Sequence, residues 1–115
     1  MAGIYNFTID QGSDYSLLAT YKDESKNYVD LTGKTLQGSA RANKESDSVA
    51  FSFEFEIRDQ VLHIGQFYLK LSNNVSSGLD ISVVDRFLYD VELSDNGKVT
   101  RLFQGVVTFS REITR

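Results

Sequence analysis

Residues 86–115 read RFLYDVELSDNGKVTRLFQGVVTFSREITR, and this stretch decides the fold class. Phe87, Tyr89, Val91 and Leu93 recur at every second position, and Val99, Phe103, Val107 and Phe109 keep one parity in the same way. That period puts alternate side chains on one face of a strand half buried against a core. Between the two runs stands Ser94-Asp95-Asn96-Gly97-Lys98. Asn-Gly is the favoured pair of a two-residue hairpin turn, because both central residues need φ > 0. The stretch is therefore a β-hairpin.

Working back along the chain, the same period recurs. Tyr5, Phe7 and Ile9 make a first strand with all three facing the core, and Tyr15, Leu17, Ala19 and Tyr21 a second. Residues 23–27 are a polar turn and 28–33 a brief extended piece. Residues 35–42 form the next strand, with Leu36, Gly38, Ala40 and Ala42 inward; such small residues predict a large neighbour packed close by. A charged loop over 43–48 leads to the clearest alternation present, Val49, Phe51, Phe53, Phe55 and Ile57 in line, which predicts one continuous strand. A turn over 58–60 precedes another strand over 61–71, with a bulge at Gly65. Residues 72–80 allow a single helical turn over 75–77, entered through Ser72-Asn73-Asn74 and stopped by Gly78; residues 79–85 are a connection or a short edge segment. About seven strands with turn signals every 8 to 12 residues or so predict an all-β protein, an antiparallel β-sandwich. No linker or repeat divides the chain, so residues 1–115 read as a single domain.

Composition narrows the chemistry. Cysteine is absent, which excludes disulfides, thiolate nucleophiles and Cys-based zinc sites. One histidine, His63, on the strand expected over 61–71 and among apolar neighbours, leaves no His-based triad or multi-histidine metal set. Net charge is −4 with Lys and Arg scattered, which argues against nucleic acid as a partner. No apolar run approaches the ~20 residues of a membrane span, and the first residues lack the pattern of a signal peptide, so no membrane is expected. Glycosidases need only two carboxylates, and Glu54, Glu56, Asp90 and Glu92 would fall opposite the core faces of their strands; a solvated sheet face explains them equally, and there is no Trp to line a sugar groove. Asp95-Asn96-Gly97 lacks the other ligands of a calcium loop. The solitary glycines form no phosphate cradle. No catalytic residue, cofactor or metal is expected. The exposed aromatics expected for contact are Tyr28 and Tyr68.

Three groups of residues carry a family resemblance: FTIDQG over 7–12 with LLATY over 17–21; VDLTG over 29–33; and YDVEL over 89–93 with GKVTRLFQG over 97–105 and Ile113-Thr114-Arg115. In this order they resemble the small immunoglobulin-like virion proteins of tailed bacteriophages and prophages, including upper-baseplate immunoglobulin-like modules. The resemblance implies an immunoglobulin-like β-sandwich without catalysis. It implies a structural protein in the tail, baseplate or neck, attached to other phage structural proteins, with a homo-oligomer in keeping with particle symmetry. It implies location in the virion, assembled in the host cytoplasm. The alternatives are a capsid decoration protein, or a carbohydrate-binding module for host adsorption using Tyr28 and Tyr68.

Overall fold

A computed structural model describes residues 3–43, 48–82 and 84–111. Among the described residues the elements run β1 (Gly3–Ile4), β2 (Phe7–Asp10), β3 (Tyr15–Thr20), β4 (Thr35–Arg41), β5 (Phe51–Ser52), β6 (Glu54–Ile57), β7 (Gln66–Leu71), α1 (Asn73–Ser77), β8 (Arg86–Asp95) and β9 (Lys98–Ser110). They form two sheets. The front sheet has the order β1-β9-β8-β4-β5, with β2 also on β9; the back sheet has the order β3-β7-β6. Every ladder is antiparallel except those of β1 and β2, which run parallel to β9.

Taking β3, β4, β6, β7, β8 and β9 as strands B to G of an immunoglobulin domain and β5 as the added C′, β3-β7-β6 is its B-E-D sheet, and β9-β8-β4-β5 is its G-F-C sheet extended by one strand. The chain is thus an immunoglobulin-like β-sandwich. It departs from that plan at the first strand, which joins β9 instead of β3. The back sheet consequently ends at β3.

The hairpin of residues 86–110 follows from its turn. Asn96 has φ 50° and Gly97 φ 87°, the two positive values of a type I′ turn, and Asp95 faces Lys98 across it. One irregularity corrects the expected parity. Val91 faces Phe103 but Glu92 faces Arg101, so Leu102 is an extra residue and the faces of β9 swap there. Leu102 and Phe103 both pack on the core, while Val99, expected inward, is exposed.

The Phe-rich run is not one strand. Phe51–Ser52 pairs with β4 in the front sheet, whereas Glu54–Ile57 pairs with β7 in the back sheet. Phe53, whose N–H still donates to the Gly38 carbonyl at 2.9 Å, marks the crossing. Alternation survives because the chain changes sheets without changing the face it turns to the core. Val49, ahead of the crossing, is exposed. Phe51, Phe87 and Phe109 meet edge to face at centroid distances of 5.3 to 5.7 Å, an arrangement favoured by their quadrupoles. Gly38 explains the small residues of β4: a Cβ there would lie 3.0 Å from the Phe55 ring and 2.8 Å from the Asp90 carbonyl. Ala42, expected inward, lies past the end of β4 and is exposed.

Three further expectations change. The strand expected over 61–71 begins only at Gln66, and residues 60–65 form a turn in which Gly65 adopts φ 80°. His63 accordingly sits in a loop. Tyr5 faces outward at 46% exposure because the chain breaks between β1 and β2. At that break the N–H of Val106 donates to Asn6 Oδ1 at 2.9 Å, so a side chain stands in for the ladder. The helical turn is present as α1, and its first N–H donates to Asp14 Oδ1 at 2.7 Å. The described residues between α1 and β8 form no strand, so this stretch is a connection. Residues 44–47 of the expected charged loop and the Ile113-Thr114-Arg115 end lie outside the described residues.

Candidate interaction surfaces

Of the two tyrosines expected to be free, Tyr28 is 53% exposed and Tyr68 only partly so. Tyr28 pairs with Lys22, whose Nζ lies 4.9 Å from the ring centre. Tyr68 stands opposite Leu18 and Glu56 on the outer face of the back sheet, attended by Arg58 at 5.5 Å and Lys70 at 5.8 Å. No strand register sets the two rings side by side as one stacking platform.

The four carboxylates weighed for hydrolysis are also separated. Glu54 and Glu56 belong to the back sheet and Asp90 and Glu92 to the front sheet, so the two pairs do not converge. Each sheet keeps its own electrostatics. Lys70 Nζ hydrogen-bonds Glu56 and holds its carboxyl below the usual range. Asp90 moves the other way: burial, then the neighbouring Glu92, raise it, against the pull of Arg101 and Arg41. Arg101 Nη2 lies 3.5 Å from Asp90 Oδ2, and Gln37 donates to Glu92 at 3.2 Å. Asp90, Glu92 and Arg101 line a depression of about 730 Å³ on the front sheet, together with Ile4, Arg41, Gln104 and Val106. Its paired charges of both signs suit a polar surface.

A third surface stands where the sequence pattern predicts the start of a strand. The loop of residues 58–65 joins β6 to β7 and presents Val61 at 89% and Leu62 at 75% exposure, with Ile64 at 39%. The loop is built around Gln60. Its Nε2 donates to the carbonyls of Arg58, His63 and Gln66 at 2.7, 3.4 and 3.3 Å, and its Oε1 accepts from Leu31 and Gly65 at 2.9 and 2.8 Å. The Asp59 carboxylate accepts from Val61 N–H at 3.1 Å. One glutamine thus ties the tip to the fully buried Leu31 of the neighbouring loop. Gly65 completes the joint, since a Cβ there would meet the Tyr21 carbonyl at 2.8 Å. Much of the loop's backbone is hydrogen-bonded internally, and its most exposed side chains include Val61 and Leu62. In the sequence, Val61 and Leu62 resembled the start of a strand; Gln60 carried no signal beyond its place in a turn.

No group of three or more His, Asp or Glu side chains is placed to hold a metal ion among the described residues. No helix there is long and apolar enough to cross a membrane.

Comparison with known proteins adds little. No protein-family model and no curated protein matches the chain. Among solved structures, that of murine CRIg is similar over 94% of this chain and 92% of its own, with 9% sequence identity and a TM-score of 0.44. The sandwich assignment therefore stands on the strand order and registers of this chain itself.

Proposed function

We propose that this chain is a structural subunit of a tailed-bacteriophage particle, acting by protein–protein attachment in the tail, baseplate or neck. The observation that carries attachment is the tip of residues 58–65. A loop hydrogen-bonded to itself through Gln60 loses little conformational entropy on docking, so its exposed apolar side chains, Val61 and Leu62 foremost, are presented at low cost. Singly scattered surface apolars are ordinary; adjacent ones on a braced loop are the form an interface anchor takes. The phage setting comes from the FTIDQG, VDLTG and YDVEL resemblance. Capsid decoration would use the same attachment chemistry at another site on the particle.

The test is mass spectrometry of purified particles from the parent phage or induced prophage. The protein is expected at a stoichiometric copy number, and its absence from intact virions would sink the proposal. Complementation with Val61→Ser/Leu62→Ser then examines the tip: the variant should fold with an unchanged Tm and fail to join the particle.

A further inference from the structure

The back sheet ends at β3, and β3 is an unguarded edge. Proteins protect edge strands with charge, proline, bulges, brevity or a covering element. The other edges here comply: β1 and β5 have two residues each, β6 carries Glu54 and Glu56, and β2 has four residues ending at Asp10. β3 reads Tyr15-Ser16-Leu17-Leu18-Ala19-Thr20, six residues with neither charge nor proline, paired among the described residues with β7 alone. The N–H of Tyr21 donates toward Gly65, so Ser16, Leu18 and Thr20 turn their backbone groups to the open side. Their side chains are exposed, Leu18 at 47%. The inward residues agree. Tyr15, Leu17 and Ala19 are only partly buried, whereas their register partners Leu71, Leu69 and Phe67 are at most 2% exposed. The core is open along this edge.

We infer that β3 pairs antiparallel with β3 of a second copy, joining two back sheets across a two-fold axis at Leu18. The strand is self-complementary in that register. Leu18 falls opposite Leu18, Ser16 opposite Thr20, and Leu17 opposite Ala19, with about six backbone hydrogen bonds across the join. Counting outward, Asp14 of one copy comes opposite Lys22 of the other, opposite charges at both ends. The same operation on β6 would set Glu54 against Glu56, a like-charge pair that disfavours it. A two-fold contact of this kind is closed, so it yields a dimer and not a filament. The inference rests on the fold alone and is independent of the virion proposal.

A residue that faces itself supplies the experiment. Leu18→Lys and Leu18→Glu are prepared as separate full-length proteins, and their mass in solution is measured by sedimentation alone and mixed, beside the unsubstituted chain. The unsubstituted chain is expected to dimerise. Each variant alone should be monomeric, its dimer dissociation constant raised at least tenfold by like charges at the axis. The equimolar mixture should dimerise again, which misfolded variants could not do. Amide exchange at Ser16, Leu18 and Thr20 should slow as the unsubstituted chain is concentrated. A chain monomeric at sub-millimolar concentration would overturn the inference, and so would a dimer indifferent to both substitutions.

Discussion

Gly105 fixes the first strand, and replacing it by Ala tests how. It lies opposite Tyr89 in the β8–β9 ladder, and a Cβ added to it would sit 2.2 Å from the Tyr5 carbonyl oxygen, 2.7 Å from Asn6 Oδ1 and 2.8 Å from the Tyr5 carbonyl carbon. Two of these atoms are backbone and cannot rotate aside, so the Tyr5-Asn6 corner must move away by about 1 Å, given ordinary contact near 3.5 Å. Three hydrogen bonds hold that corner: Tyr89 Oη donating to Tyr5 O at 2.5 Å, Val106 N to Asn6 Oδ1 at 2.9 Å and Tyr5 N to Gln104 O at 2.9 Å. At about 1 kcal/mol each, with somewhat more for a Tyr89 hydroxyl left without a partner, their loss is about 3 to 4 kcal/mol. The smaller entropy of Ala in the unfolded chain returns about 0.5 to 1. The net cost is about 3 kcal/mol, or a fall in Tm of roughly 10 to 15 °C at this chain length. Thermal unfolding followed by circular dichroism reads it directly, with Gly3→Ala as control, since a Cβ at Gly3 meets nothing within 4 Å. A Gly105→Ala protein melting within 2 °C of the unsubstituted chain would refute the reasoning.

Gln60→Ala should cost about 2 to 3 kcal/mol in denaturant unfolding by stranding the N–H groups of Leu31 and Gly65, and native-state exchange should accelerate at those two amides first. Phe51→Ala removes the ring that Phe53, Phe87 and Phe109 pack against and should cost about 3 to 5 kcal/mol in the same measurement. Burial, then the nearby Tyr5 and Tyr15, push the Tyr89 phenol well above its ordinary 10.0. Above pH 10 the unfolded chain therefore holds fewer protons than the native one, and stability should fall as pH rises; Tyr89→Phe should flatten that fall, and a stability curve level through this range in the unsubstituted chain would contradict the burial argument.

The elements legible in the sequence are those where a local rule and the tertiary structure agree. Asn96-Gly97 specifies its own turn whatever surrounds it, so the hairpin is as expected. The run from Val49 to Ile57 shows what periodicity omits. Alternation reports which side chains meet the core, and Phe51 and Phe55 meet it from opposite sheets; the transfer at Phe53 is set by partners distant in sequence. Val61 and Leu62 continue an apolar pattern, yet Gly65 at φ 80° and the hydrogen bonds of Gln60 impose a turn, tied to the distant Leu31 and Tyr21. Parity in β9 fails at Leu102 for a similar reason, because a bulge changes no letter. Tyr28 was legible as an exposed aromatic in a loop. Tyr68 sits mid-strand, where alternation gives its face but not the cations of Arg58 and Lys70 that cover it.

The position of the first strand connects the anchored corner to the open edge. Phe7, Thr8, Ile9 and Asp10 pair with Val107, Thr108, Phe109 and Ser110, so the segment is committed to the front sheet. Gly105 and Asn6 let the chain pass close over β9 on the way in, and Gln11 holds it on the way out, its Nε2 donating to the carbonyls of Ser76 and Leu79 at 3.2 and 2.9 Å. Gly12 N–H adds a bond to the buried Ser76 hydroxyl at 3.0 Å. A segment pinned at both ends to β9 and the α1 region cannot also cap β3, which lies across the core from it and touches it through the Phe7–Tyr15 stack at 5.2 Å. In the plan where the first strand lies beside the second, it takes up the open side of that second strand. Here the residues that fix the first strand on the front sheet are the same ones that leave the backbone groups of Ser16, Leu18 and Thr20 for another copy to take.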